Sequence, residues 1–346
     1  MARKRPKFTA IPFGRFVGPP LSIVLLIVAG YAALTGRLGF VMSLLNRDLA
    51  NIGEQTETGQ TEILNTSAAG PTIKSPDVLR VATFNIEIFG KAKSENPEVM
   101  NYLALILRQF DVIAVQEIRS AERTPVDALL QRINASGDQY QVVLSERLGR
   151  TDSKEQYAYF WDATRVDLIQ GSVYLVNDEQ DFMHREPFVA SFRSRRSAAP
   201  GSQPFSFTMI NVHTDPDETT QELNVLDDVF QSVRAYEFSE DDFILVGDLN
   251  VESNELGELG MIHAIESLNR EKTNTAGSRC IDHIIIDRSV TTEWMSAGVI
   301  HYERDLQLTR EQADLISDHR PVWAAFDINE HAPRGVLASR PTTAAR

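Results

Sequence analysis

The chain has 346 residues, of which 42% are hydrophobic and 8% aromatic, so it can bury at least one sizeable core and falls in the globular class. Its formal net charge of -14 argues against sequence-blind adhesion to nucleic acid through a generally basic surface, because phosphate binding draws on clustered Lys and Arg. The single cysteine, Cys280, excludes an internal disulfide, and no Cys/His cluster of zinc-binding type is present.

The N-terminus is a basic flank followed by a hydrophobic run. Residues 1–20 hold five Lys or Arg and no Asp or Glu, and the apolar stretch 21–34 follows directly. We predict a basic cytoplasmic segment at 1–20 and a hydrophobic helix at 21–36, which is either a transmembrane signal anchor or a cleaved signal peptide. An anchor would hold the domain that follows on the extracytoplasmic side of a membrane, whereas cleavage would make the protein secreted.

Two further stretches are predicted to lack a fixed structure. Residues 37–75 form a flexible linker, since 51–75 has no aromatic residue and is rich in Thr, Gly, Glu and Gln. Residues 330–346, which are rich in Pro, Ala, Thr and Arg, form a disordered tail. The chain between them, 76–329, is predicted to be one domain.

Within that domain, apolar runs alternate with amphipathic stretches. Seven runs are strand-like in length and β-branched content, at 78–84, 111–116, 157–162, 205–212, 242–247, 281–287 and 321–326. Helical spacing of apolar residues recurs at 97–110, 124–133 and 219–236. This alternation predicts an α/β or α+β domain with much sheet.

Polar side chains cluster at the ends of these strands and in the adjoining loops, where a sheet presents functional groups rigidly. They are Asn85, Glu117, Glu155, His213, Asp248, Asn250, Asp282, Asp318 and His319. Carboxylate and amide oxygens without thiolates select a hard cation such as Mg²⁺, Mn²⁺ or Ca²⁺ over zinc. Two histidines, each oriented by a carboxylate, could transfer protons near neutral pH. The set therefore favours a metal-dependent hydrolase of phosphate esters.

Eight segments resemble the endonuclease/exonuclease/phosphatase superfamily, and within it the deoxyribonuclease I type, in order and spacing across 79–327. They are LRVATFNIEIFG, VIAVQEIRS, VVLSERLGRTDSKEQY, HREPF, NVHTDP, LVGDLNVES, CIDHIII and ISDHRPV. The resemblance implies a four-layer α/β sandwich, with two packed, mainly antiparallel sheets flanked by helices. It also implies Mg²⁺- or Mn²⁺-dependent hydrolysis of DNA to products with 5′-phosphate ends.

The resemblance assigns roles motif by motif. It implies metal ligands at Glu117, Asn85, Asp318 and Asp248. It implies catalytic and phosphate-positioning groups at His213, His319, Glu155, Asp282, Asp248 and Asn250, with His213 paired to Glu155 and His319 paired to Asp282. It implies contacts to the nucleic-acid substrate from Arg119 and Arg185.

The chain departs from the family pattern at several places. Ser153 stands where the family has a tyrosine that packs into the minor groove, so this contact with duplex DNA is lost. Cys280 matches half of a family disulfide whose partner position is about Ser253, so the loop between them must be held by packing. The acidic and Thr ligands of the family's structural calcium loops are not clearly retained, so the family's dependence on Ca²⁺ is not predicted for this chain. Ca²⁺ stays an alternative to Mg²⁺ or Mn²⁺ only because the oxygen donors of the site accept any of these hard cations.

Two other functions compete with a nuclease. Membrane attachment makes a sphingomyelinase-like or inositol-phosphate phosphoesterase plausible, although the nuclease-like positions of Glu155, Arg119 and HREPF favour nucleic acid. A catalytically inactive, membrane-tethered binding module is disfavoured because no metal ligand or histidine of the pattern is replaced. No protein partner is implied.

Overall fold

The computed structural model describes residues 8–12, 74–151, 153–196, 201–237 and 239–331. The predicted cytoplasmic segment, hydrophobic helix, linker and tail lie almost entirely outside these ranges, so they stay predictions. None of the helices in the described ranges combines the length and apolar character that a membrane span requires.

The elements follow one another in a strand-rich order. The strands are β1 Phe8–Pro12, β2 Val78–Phe89, β3 Val112–Ile118, β4 Tyr140–Leu144, β5 Gln156–Asp162, β6 Val166–Leu168, β7 Tyr174–Asp178, β8 Phe188–Ser194, β9 Ser206–His213, β10 Phe243–Asp248, β11 Ile265–Ser267, β12 Asp282–Asp287, β13 Trp294–Val299 and β14 Val322–Asp327. The helices are α1 Lys91–Ser94, α2 Pro97–Leu107, α3 Thr124–Asn134, α4 Thr219–Leu223, α5 Leu226–Tyr236, α6 Tyr302–Asp305 and α7 Arg310–Ile316, with one 3₁₀ turn at Leu259–Met261.

All seven predicted strands are present, and so are the three predicted helical regions, with one correction. The predicted helix over 219–236 is interrupted around Asn224 and forms two helices, α4 and α5. Strands β1, β4, β6, β7, β8, β11 and β13 were not predicted. They are short, or they carry polar residues that interrupt the apolar pattern, as Ser191 and Arg193 do in β8.

The described strands form two sheets. One has the order β1-β7-β8-β9-β10-β12-β11, with β6 paired to β8, and the other has the order β13-β14-β2-β3-β5-β4. Most neighbouring strands are antiparallel, as expected, but each sheet is mixed because it contains one parallel pair, β9 with β10 and β2 with β3. Both parallel pairs direct their carboxyl ends toward the predicted catalytic residues.

Three apolar layers hold the sandwich together. The central layer lies between the sheets and includes Val81, Tyr159, Phe207 and Ile284. A second layer packs the six-stranded sheet against α2 and α3, and a third packs the other sheet against α5. Since both faces of each sheet are covered, central strands such as β2 and β10 are buried almost continuously, which explains their unbroken apolar sequences. The four-layer arrangement inferred from the sequence is therefore present.

The segment from Ser253 to Cys280 is held without a disulfide. The Glu252 carboxylate accepts a hydrogen bond from the Cys280 N–H at 3.2 Å and pairs with Lys272 at 3.0 Å. The Nδ2 amide of Asn269 contacts the Cys280 sulfur at 3.4 Å. Burial raises the pKa of the Cys280 thiol to about 11, which makes this cysteine an inert packing group. Polar contacts as well as packing thus replace the missing bridge.

Candidate active site

Neighbouring strands of the eight-stranded sheet bring three predicted residues side by side. His213 ends β9, Asp248 ends β10 and Asp282 begins β12, and the strand register places Asp248 opposite both of the others. Directly opposed residues of a sheet face the same side, so these side chains share one face at its edge.

Gly247, in the LVGDLN segment, allows this close approach of β9 and β10. It has a φ of 143°, and a Cβ atom there would lie 1.7 Å from the backbone oxygen of Val212. We expect Gly247→Ala to lower the free energy of unfolding by at least about 3 kcal/mol, because the added methyl group has no room and the backbone angle disfavours an L-residue. Urea denaturation measures this loss.

Gly171→Ala is the matched control for that prediction. Gly171 also has a positive φ, 87°, but nothing lies within 4 Å of the position that an added methyl group would take, so only the backbone cost of about 1 kcal/mol applies. Equal losses in the two variants would show that the contact with Val212 is unimportant.

The six-stranded sheet contributes Asn85 and Glu117. Asn85 lies within β2, where its pairing with β3 becomes irregular, and Glu117 is the next-to-last residue of β3. The Asn85 Nδ2 amide donates to Glu117 Oε1 at 3.1 Å and to Asp248 Oδ2 at 3.2 Å, so one buried amide joins carboxylates from the two sheets. Glu117 has a φ of 63°, in the left-handed region that non-glycine residues rarely adopt. Such strain is typical of functional sites.

His213 and Glu155 form the first dyad. The His213 Nδ1 atom lies 2.7 Å from Glu155 Oε1, and the Glu155 side chain is fully buried. The His213 N–H donates to the Tyr157 hydroxyl at 2.9 Å, which fixes the backbone. Burial opposes a charged imidazolium, but the carboxylates of Glu155 and Asp248 outweigh it, so the pKa of His213 is raised.

His319 and Asp282 form the second dyad, with the His319 Nδ1 atom 2.9 Å from Asp282 Oδ2. The Thr273 hydroxyl accepts the Asp282 N–H at 3.1 Å and the neighbouring Ile281 N–H at 3.0 Å. Burial again opposes the charged ring, but Asp282 and Asp248 raise the pKa of His319 well above its usual value.

The two dyads converge on Asp248. Its Oδ2 atom is 3.7 Å from the Nε2 atom of His213 and 3.5 Å from the Nε2 atom of His319. Each histidine thus uses Nδ1 for its own carboxylate and directs Nε2 to a shared point. Two ring nitrogens able to exchange protons are therefore presented to one small region.

Ser317 ties the second dyad to the opposite sheet. Its hydroxyl donates to the Asn85 backbone oxygen at 2.7 Å and accepts the His319 N–H at 3.0 Å. Ser317 was assigned no role of its own by the sequence analysis. Its position directly before Asp318 in the ISDHRPV segment could have indicated one.

The two predicted substrate-binding arginines also brace Glu155. Arg185 is buried, with Nε 3.1 Å from Glu155 Oε1, and its Nη1 donates to the His213 backbone oxygen at 3.0 Å. The Nε of Arg119 is 3.4 Å from Glu155 Oε2, and its Nη2 is 3.3 Å from Glu117 Oε2. Arg119 also donates to the hydroxyl of Ser153. Two guanidinium groups thus lie beside the first dyad, and both contact the Glu155 carboxylate.

Asn250 and Asp318 are the last two of the nine predicted polar site residues, and they differ in their exposure to solvent. The Asn250 N–H donates to Asp248 Oδ1 at 3.0 Å, and its side-chain amide donates to the Thr214 backbone oxygen at 2.9 Å. The Asp318 side chain is 61% exposed, with Oδ1 3.6 Å from His319 Nε2. Asp318 therefore lies at the rim, whereas the other eight polar residues lie deeper.

A cleft of about 290 Å³ opens onto this constellation. Its lining is Glu117, Arg119, Thr151, Ser153, His184, Arg185, His213, Asp215, Pro216, Asp248, Asn250 and His319. Sequence reasoning did not single out His184 and Asp215, whose backbone N–H groups both donate to the buried Glu222 carboxylate, at 2.6 Å and 2.5 Å. Burial and Arg185 lower the pKa of His184, so this ring favours its neutral form. The position of His184 next to Arg185 in the HREPF segment could have indicated that it lines the cleft.

The donor set fits a hard divalent cation. Glu117 and Asp248 supply carboxylate oxygens on either side of the Asn85 amide, and Asp318 lies close by. Ligand atoms of Asp248, Asp282 and His319 also lie within 4.8 Å of one another. In that group, however, Asp282 and the His319 Nδ1 atom already hydrogen-bond each other, so the site around Glu117 is the better candidate.

The chain is similar to known proteins over most of its described length. A model of the endonuclease/exonuclease/phosphatase family matches residues 82–319. Deoxyribonuclease-1-like 1 of Chlorocebus aethiops is 30% identical over 273 residues, which cover 75% of this chain and 87% of that protein. Deoxyribonuclease-1 of Gallus gallus is 29% identical over 277 residues, covering 75% and 96%. The catalytic domain of human Nocturnin shares the fold, with a TM-score of 0.51, 15% identity and coverage of 73% and 95%.

Proposed function

Since the chain belongs to the endonuclease/exonuclease/phosphatase family and is therefore a hydrolase of phosphodiester bonds, we propose that it is a divalent-metal-dependent endonuclease that cleaves DNA. The proposed products carry 5′-phosphate and 3′-hydroxyl ends. One observation carries the proposal: two histidine–carboxylate dyads direct their Nε2 atoms to the same oxygen of Asp248.

The two dyads suit the two proton transfers of hydrolysis. One Nε2 atom would take a proton from the attacking water as the new oxygen–phosphorus bond forms. The other would give a proton to the 3′-oxygen as its bond to phosphorus breaks. Glu155 and Asp282 would hold the rings in orientation and stabilise their charged forms. Which histidine performs which transfer is a question for kinetics, since the two interact through Asp248.

The remaining groups would hold the phosphate. A divalent ion bound by Glu117 and Asp248, with Asn85 and Asp318 nearby, would neutralise charge developing on the phosphate oxygens. Asn250 would position the phosphate from the opposite side, and Arg119 with Arg185 would attract the nucleic-acid backbone. The named deoxyribonucleases among its relatives support DNA as the substrate over a lipid.

A substrate panel tests the proposal. The full-length protein is incubated with plasmid, single-stranded DNA, RNA and a choline phospholipid, with and without Mg²⁺, and the products are separated. We expect cleavage of DNA that requires the metal. Hydrolysis of the phospholipid alone would move the protein to a lipid phosphodiesterase, and no hydrolysis of any substrate would favour a binding module.

Glu155→Gln is expected to change the pH dependence of cleavage. Removing this carboxylate lowers the pKa of His213, because Glu155 is the main charge that raises it. The limb of the pH–rate profile that reports His213 should therefore move to lower pH, whether this histidine is the acid or the base. The rate at the optimum should also fall by about 10- to 100-fold, since the ring loses its orienting partner. An unchanged profile would contradict the dyad.

A further inference from the structure

A second group of carboxylates lies at the end of the sandwich away from the candidate active site. Asp242 precedes β10, Glu293 precedes β13 and Glu330 follows β14. One oxygen from each lies within 4.8 Å of those of the other two. Asp242 and Glu293 are each only 1% exposed. These three residues, the distal triad, bring together positions separated by up to 88 residues in the chain.

The distal triad has little charge compensation, since the charge of His331 only partly offsets the effect of burial on the pKa of Glu293. No Lys or Arg in the described part of the chain forms an ion pair with any of its three carboxylates. The buried Oε2 atom of Glu293 accepts no hydrogen bond from the described residues, and the hydroxyl of Thr291 is a neighbouring donor for Asp242. Buried carboxylates are normally paired, hydrogen-bonded or bound to metal. These carboxylates therefore require a compensating group, which is either a proton or a cation.

Protonation is the compensation available when no ion is bound. Burial, together with the nearby charge of Glu293, raises the pKa of Asp242 to about 9. Burial and the charges of Glu293 and Glu240 raise the pKa of Glu330 to about 7. The three groups therefore resist being charged together.

The surrounding donors identify the class of ligand. All three side chains offer oxygen, and the buried hydroxyl of Thr291 adds another oxygen beside Asp242. An oxygen-only set selects a hard cation. Three protein carboxylates suit Ca²⁺, which accepts many oxygen ligands in irregular geometry, better than Mg²⁺, which keeps several waters.

An ion could reach this position from solvent. A groove of about 870 Å³ reaches the distal triad at Glu330 and is also lined by Asp241, His331 and Arg193. The exposed carboxylate of Asp241 would attract cations to the groove, and the exposed Arg193 would partly oppose this attraction.

We propose that Asp242, Glu293 and Glu330 form a structural calcium site that joins the two sheets of the sandwich. Asp242 belongs to the start of a strand in one sheet, whereas Glu293 and Glu330 flank strands of the other. The six residues of β10 separate Asp242 from the candidate active site by roughly 20 Å, so an ion here cannot take part in cleavage. The site is independent of the proposed function.

Thermal unfolding of the full-length protein, with and without millimolar Ca²⁺ at neutral pH, tests the site. We expect saturating Ca²⁺ to raise Tm by roughly 5 °C or more in the wild type. The same rise is expected in Glu117→Gln, which alters the candidate active site, and in Glu122→Gln, an identical change at an exposed position. Glu293→Gln should lose the rise.

The Tm of Glu293→Gln without Ca²⁺ shows whether the substitution removes a calcium ligand or damages the fold. Glu293→Gln replaces one of three crowded carboxyl groups by an uncharged amide of the same size, so its Tm in the absence of the ion should equal or exceed that of the wild type. A Tm below that of the wild type, or a Ca²⁺-induced rise that persists in this variant, would overturn the proposal. So would a rise lost in Glu117→Gln, or no rise in any protein. None of these outcomes depends on whether DNA is cleaved.

Discussion

Replacing His213 by Ala is expected to lower the rate of DNA cleavage by about 10³- to 10⁴-fold. The change removes one of the two Nε2 atoms that face Asp248, and with it one of the two proton transfers. Glu155 is not left unpaired, because Arg185 and Arg119 still contact it, so the fold should be kept. Cleavage of plasmid under single-turnover conditions, together with Tm, measures both effects.

His319→Ala should reduce cleavage to a similar extent, but it should cost more stability. Asp282 is fully buried, and its side chain has no cationic partner other than His319 within the described residues. Its Tm is therefore expected to be lower than that of His213→Ala. The double variant should be little worse than either single variant, because the two dyads act in one reaction.

His263→Ala is the control, since His263 is exposed and lies outside the cleft. Its cleavage rate should match that of the wild type. Full activity in both His213→Ala and His319→Ala would discard the proposed mechanism.

Glu117→Gln is expected to lower metal-supported cleavage by about 10²- to 10³-fold. The substitution keeps the size of the side chain and an oxygen that can accept from Asn85, but it removes the negative charge offered to a cation. Higher Mg²⁺ concentrations should be needed to reach half of the maximal rate. The cleavage rate as a function of Mg²⁺, and Mn²⁺ binding by calorimetry, check these two effects.

A control variant tests whether the effect depends on the negative charge of Glu117 in particular. Glu122→Gln carries the same substitution in an exposed turn and should leave the Mg²⁺ dependence unaltered. Chelation of divalent ions should reduce the wild type to the level of Glu117→Gln or below. An Mg²⁺ dependence identical in Glu117→Gln and the wild type would place the metal on other residues.

Much of the fold was predictable because the main strands are buried on both faces. Strands β2, β3, β9, β10 and β12 are nearly continuous apolar runs, and this pattern survives in the sequence without any knowledge of their partners. Strand β8 was not predicted, because its polar residues resemble those of a loop. In the structure it pairs with β7 and β9 in the sheet. The break between α4 and α5 was not predicted, because the helical spacing of apolar residues continues across it.

The sequence by itself determined the chemistry of the site: which carboxylates, amides and imidazoles are present, and their position at strand ends. Only the tertiary structure decided that the two histidines share Asp248, and that Arg185, predicted to bind substrate, also holds Glu155. It alone assembled the distal triad from three distant segments. The physical reason is that a short motif fixes which functional groups are present and which strand they follow, because both are local properties of the chain. Distances between side chains on different strands depend instead on strand register and on how the sheets pack.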